Sequence, residues 1–432
     1  MNPSACYALQ ACWKPLAPLV LAALCPFAHA AITVPGADGS DGALNITANT
    51  EIDLSQAVTG TWDANNAANA GKGVYDPAKW AVVFKYTDVT VAAGATVTFK
   101  NHASRAPVVW LVSGNVTIDG TVSLSGQNGQ PAPLLAEPGP GGFRGGVFTT
   151  SAGVTGGPGF GPGGGGFSAN TPGGGSYSTQ GINGSSPYGN PALIPLIGGS
   201  GGGGKNSYDS VTGGGGGGGA LLIAVINACT INGEISANGG AGGAGGYWDW
   251  SAGSGSGGGV RVIAETLSGT GRCFAKGGST DSRNDAYAGA GRIRLERLLN
   301  TGNVEVVPAP STVDLTVGAT ALLWPPAGAP EVRVVSIGAA EAPADPRAAF
   351  GTYTPDVALP LASSTEVIVE TVNVEQASQV KVRITPRDSA NYTEVAATYS
   401  STVSADPLTL RWTATVPTTM GNSAVQARVI RP

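Results

Sequence analysis

Apolar residues alternate with small or polar ones at period two in several stretches between residues 80 and 298, and glycine interrupts the alternation at recurring places. After Trp80 the chain reads AVVFKYTDVTVAAGATVTFK, strands that meet at corners such as Gly94. The stretch Val108–Gly126 (VVWLVSGNVTIDGTVSLSG) then recurs without a gap as Leu221–Gly239 (LLIAVINACTINGEISANG), with Gly120 and Gly233 at the same internal corner. In a third copy GGGALLIAV at 217–225 matches GGGVRVIAE at 257–265, and ISANGG at 235–240 matches CFAKGG at 273–278. A partial fourth, GRIRLE at 291–296, puts Ile293 and Leu295 inward and turns Arg292, Arg294 and Glu296 outward. Repeats of this length bury an apolar face only by stacking, so the pattern predicts an all-β chain organised as a parallel β-solenoid over residues 80–300.

Residues 127–219 form a long Gly-rich insertion within that span, with GPGFGPGGGGF at 157–167 and seven consecutive glycines at 213–219. Two readings stay open: a disordered linker, favoured by glycine's backbone entropy, or packed polyglycine-type helices of three residues per turn. The spacing of Gly153, Gly156 and Gly159 and of Gly163 and Gly166 fits the second. Phe143, Phe148, Phe160 and Phe167 read as spacers fixing such helices to the solenoid.

The texture changes again after Asn300. EVRVVSI, EVIVETVNV, QVKVRITPRD, LTLRWTATV and AVQARVI are short alternating runs, which predict an antiparallel β-sandwich over residues 301–432 of immunoglobulin or fibronectin type III kind, with Trp412 in its core. Residues 31–79 are polar and turn-rich and read as an N-terminal cap.

Residues 1–30 read as a targeting segment: Lys14 precedes the apolar run Leu16–Leu24, and Ala28-His29-Ala30 has the small-x-small form of a cleavage site. The run is short for a membrane span, so no integral membrane anchor is expected, and the mature chain is expected to be secreted, at the cell surface or periplasmic. Leu21–Cys25 hints at a lipoprotein box, but Leu24 and Pro26 depart from its pattern. Cys6, Cys12, Cys25 and His29 leave with this segment, and Cys229, Cys273 and His102 stay. That set cannot furnish a soft-ligand metal site, and no cofactor is expected. In the repeat Cys229 aligns with Val116 and Cys273 with Ile235, so both read as buried hydrophobes in slots on opposite sides of the corner glycine, an arrangement that disfavours a disulfide. A net charge of −5 without a Lys/Arg cluster argues against nucleic acid and anionic membranes as partners.

NVTIDGTVSLSG, TINGEISANGG and GAGRIRLE resemble the secreted bacterial Gly-rich proteins with a right-handed parallel β-helix, the architecture also used by pectate lyases, over about residues 80–298. The resemblance implies an exported, non-catalytic structural or adhesin-type protein, with polysaccharide or cell-envelope components as partners. A polysaccharide lyase or glycoside hydrolase on the same coil is the alternative, and ice or crystal binding through the glycine tract is another. Enzymes of this architecture need clustered acids with a base. The candidates are Asp249, Glu265, Asp281 and Asp285 with Arg272, Lys276 and Arg283, which are scattered over the loops, so no catalytic residue is assigned. Tyr247-Trp248-Asp249-Trp250, flanked by glycines, is the candidate ligand site, since aromatic faces beside a carboxylate suit sugar rings; local packing of the same rings is the alternative. His102 reads as a hydrogen-bonding turn residue, and Asp38 and Asp41 as Asp-Gly turns rather than a calcium loop.

Overall fold

The computed structural model describes residues 32–131, 134–146, 157–166, 172–184, 187–207, 210–244, 251–279, 288–343, 356–386, 392–420 and 423–432. The targeting segment read over 1–30 lies outside them.

The chain is all-β, with large parallel sheets followed by antiparallel ones. Successive passages of the chain run through the same two parallel sheets. In the longer sheet Val82, Val108, Leu221, Val260 and Ile293 pair side by side, each on the next strand. In the shorter one the row is Val97, Val122, Ile235, Cys273 and Val306. Both rows meet in one apolar cluster between the sheets. The parallel pairing extends beyond the repeats at both ends. Gly42–Ile46 and Thr50–Asp53 join before them, and Glu305–Val307 and Ser311–Asp314 after them.

Corner glycines set where the strands turn. A Cβ on Gly233 would stand 1.9 Å from the Gly120 carbonyl oxygen, and one on Gly271 would stand 2.2 Å from that of Gly233. The first two copies keep one offset throughout: Leu221 lies beside Val108, Cys229 beside Val116 and Glu234 beside Thr121. The third copy departs from the sequence match by one residue. Leu221 pairs with Val260 and Leu222 with Arg261, while Ile235 pairs with Cys273 as aligned. A bulge between Val225 and Ala228 absorbs the difference. The slip matters because one residue exchanges the two faces of a strand. It places Val260 and Val262 inside and Arg261 outside.

Much of the outer face of the long sheet is also apolar. Val83, Val109, Leu111, Leu222 and Ile263 are roofed by Ile32, Val34, Leu193, Leu196, Ala321 and Leu323. Thr33 donates to Ala319 O and accepts from Ala321 N, 2.8 Å each, so the start of the described chain pairs with a segment almost three hundred residues later. The continuous runs AVVF, VVWLV and ALLIAV fit a parallel sheet buried on both faces.

The described residues within 331–430 include a five-stranded antiparallel sheet (order Ala340–Glu341, Glu331–Ile337, Ser364–Val372, Leu408–Pro417, Thr398–Ala405) and a three-stranded one (Thr393–Ala396, Gln379–Pro386, Ser423–Ile430). They share a cluster that holds Trp412, whose indole nitrogen donates to Thr371 Oγ1 at 2.9 Å. Among the described residues no helix is long and apolar enough to cross a membrane.

Candidate functional site

The described parts of the glycine tract are ordered, and a three-residue rhythm orders them. Gly213, Gly216 and Gly219 donate backbone hydrogen bonds to Gln130, Gln127 and Leu124. Gly214 and Gly217 donate to Gly146 and Phe143, and Gly215 and Gly218 to Gly253 and Ser256. One segment thus bonds three neighbours through three faces, as packed helices of three residues per turn do. At several of these glycines the packing leaves no room for a side chain: a Cβ on Gly214 would lie 1.9 Å from Gly202 O, and one on Gly240 1.9 Å from Gln127 O. Phe143 is buried at this bundle, while Phe148 and Phe167 lie outside the described residues.

Asparagines hold the passages in line where backbone pairing lapses. Asn115 Oδ1 accepts from Ala228 N at 3.3 Å, Asn128 Oδ1 from Ala241 N at 2.9 Å, and Asn238 Oδ1 from Lys276 N at 2.8 Å. The stacked corners between the two sheets open into a groove of about 450 Å³ lined by Asp119, Thr121, Asn232, Glu234, Arg272 and Glu305, among others. Thr121, Glu234, Arg272 and Glu305 form one row across four adjacent strands. Asn232 Nδ2 donates to Asp119 Oδ1 at 2.8 Å, and Arg272 Nε lies 3.8 Å from Glu234 Oε2. Beside this row Phe274 carries the Lys276 ammonium 4.0 Å from its ring centre, with the Arg272 guanidinium at 5.8 Å. Alternating acceptors and donors next to a half-buried ring can hold a hydroxyl-rich chain by hydrogen bonds and stacking.

The residues singled out from sequence fall in different places. Tyr247, Trp248, Asp249 and Trp250 lie outside the described residues, as do Asp281, Arg283 and Asp285. Glu265 sits on the long-sheet strand Gly259–Ser268, whereas Arg272 belongs to the short sheet and takes Glu234 as its carboxylate partner. Asp119, Asn232, Glu234 and Glu305 were not anticipated. Three of them had a signal: they flank the corner glycine in Asp119-Gly120-Thr121 and Asn232-Gly233-Glu234, the position that Arg272 takes after Gly271.

The remaining polar candidates are structural. His102 Nδ1 is 2.8 Å from Ser104 Oγ, and its ring lies 4.2 Å from that of Tyr75. Asp41 accepts from Asn66 Nδ2, Gly71 N and Lys85 N at 2.6–2.8 Å. Asp38 closes a turn on Ser40 N at 2.9 Å and lies 3.5 Å from the buried Lys85 ammonium. Burial opposes ionisation of Asp38, yet the Ser40 hydrogen bonds and the Lys85 charge hold its carboxyl below the usual range. Among the described residues no group of three His, Cys, Asp or Glu could hold a metal ion. Cys229 and Cys273 are free and buried, and burial pushes the Cys229 thiol up to about 12.

No family model, curated protein or solved structure matches this chain.

Proposed function

We propose that this chain is an exported, non-catalytic structural or adhesive protein of the cell surface or extracellular space, which holds polysaccharide or cell-envelope material along its corner groove. In this reading the parallel sheets are faces of a β-solenoid over residues 80–300, with residues 31–79 as its N-terminal cap. The glycine bundle braces one flank, and residues 301–432 form an immunoglobulin- or fibronectin-like sandwich that acts as a spacer. The observation that carries the reading is the row Thr121–Glu234–Arg272–Glu305, polar groups repeated at the strand spacing of about 4.8 Å on a rigid ladder. Export rests on the leader pattern of residues 1–30.

The test is co-sedimentation of the mature chain with insoluble cell-wall and plant polysaccharides. Binding that falls at least fivefold in an Asp119→Ala/Glu234→Ala double variant of unchanged stability supports the reading, and equal binding by the variant overturns it. The same incubations, assayed for unsaturated or reducing products, decide against the enzymatic alternative or for it. A second reading, binding to ice or another crystal, draws support from the three-residue period of the glycine bundle. Thermal hysteresis at high protein concentration tests it.

A further inference from the structure

We propose that the outer face of the long sheet carries a second site, for a single oxyanion group, built on Arg261 and Arg294. These two residues pair directly on adjacent parallel strands, which sets two like charges side by side. One carboxylate oxygen serves both. Glu296 Oε1 accepts from Arg261 Nε at 2.8 Å and Arg294 Nε at 3.0 Å, and Arg261 Nη2 lies 2.7 Å from it as an ion pair. Arg261 Nη2 also donates to Leu322 O in the roof, at 2.7 Å. Arg261 Nη1 is buried with no hydrogen-bond partner among the described residues, on a side chain only 1% exposed.

A buried guanidinium donor without an acceptor is costly and calls for an unseen partner. The local charges point to an anion. Arg292, on the same outward face, donates to the Tyr188 carbonyl (2.8 Å) and lies 5.4 Å from the Tyr177 ring centre, while Arg297 is already matched by Asp314 at 3.2 Å. Among the described residues Arg261 and Arg294 thus share the single carboxylate of Glu296. Arg294 is 19% exposed, and its terminal nitrogens make no hydrogen bond among the described residues, so they can be reached from solvent. Ser311 pairs with Arg294 on the next strand, and its hydroxyl donates to Pro191 O at 2.7 Å. Guanidinium forks match the oxygens of phosphate, sulfate and carboxylate, which defines the ligand class.

The experiment is thermal unfolding of the mature chain titrated with sodium sulfate or phosphate, ionic strength being held constant with chloride. The expected result is a saturable rise in Tm with the oxyanion and none with chloride. Arg294→Gln should weaken the apparent affinity about tenfold or more, and Arg294→Lys should restore part of it. Glu296→Gln, which removes the competing carboxylate, should tighten binding and guards against a folding defect in Arg294→Gln. An identical response to chloride and sulfate, or unchanged affinity in Arg294→Gln, overturns the site and leaves the arginines as props for Leu322. Comparison of inorganic sulfate with a sulfated polysaccharide assigns the source: tighter polymer binding means a glycan-borne group, equal binding a free ion.

Discussion

Gly217 sits so close to Gly199 that a Cβ on Gly217 would stand 2.0 Å from the Gly199 carbonyl oxygen. The contact is backbone against backbone, so no rotamer change relieves it. Gly217→Ala should destabilise the protein by about 1–3 kcal/mol through overpacking. Gly42→Ala is the control for conformation alone, since Gly42 has φ +75° with nothing within 4 Å of an added Cβ. Urea unfolding should show the bundle variant losing more stability than the control. The reverse order would mean that the bundle contributes little to the folded state.

The thiols should be inert in the folded chain. Cys229 and Cys273 are fully buried, and the Cys229 thiol is pushed up to about 12, so its thiolate is scarce at pH 8. Labelling by an aromatic disulfide reagent should therefore require denaturant. Mobility on a non-reducing gel should not depend on reductant. Rapid labelling of the native protein would contradict the paired rows in which Cys229 adjoins Val116 and Cys273 adjoins Ile235.

Acid should loosen the N-terminal edge of the short sheet at a defined place. The Lys100 ammonium and the Ser55 hydroxyl hold the Asp53 carboxyl down at about 2. A depressed folded value means that the stabilisation is complete above the unfolded value of about 3.9, and is lost as pH falls from there through about 2. Asp53→Asn should flatten the pH dependence of Tm in that window and leave it unchanged at pH 7–8. A carboxyl that titrates near 4 by NMR would remove the effect.

The roof should be the first element to open when its start is damaged. Ile32 and Val34 are 2% and 4% exposed over the long sheet. Ile32→Ala should cost about 2–5 kcal/mol, and limited proteolysis should then cut within 315–324 before it cuts the repeats. Cleavage that begins in the repeats would show that the roof is not the weaker part.

The period-two rows were legible because one face of each strand is apolar without interruption. Thus Ile293 and Leu295 lie inward as read, and the first two copies keep their offset through Asn115, Asn128 and Asn232. The one-residue slip in the third copy was not legible, because the glycine triplets at 217–219 and 257–259 look equivalent. They are not. Gly259 is a strand residue beside Ala220, and a Cβ on it would meet Ile197 O at 2.9 Å and Leu193 Cδ2 at 3.1 Å, so it makes room for the roof. The roof itself escaped notice because its partners, Thr33 and Thr320, share no local pattern. The corner groove was half legible, through the residues around each corner glycine, whereas Glu305 enters only through pairing of the last strand.

The bridge from Thr33 to Thr320 also dictates a timetable. Whatever order the repeats stack in, Thr33 has no strand partner until nearly three-quarters of the chain is on hand. Closing so wide a loop is slow. The roof over Val83, Val109 and Leu222 is therefore complete only after the repeats have stacked, and until then part of that apolar face stays open to other chains.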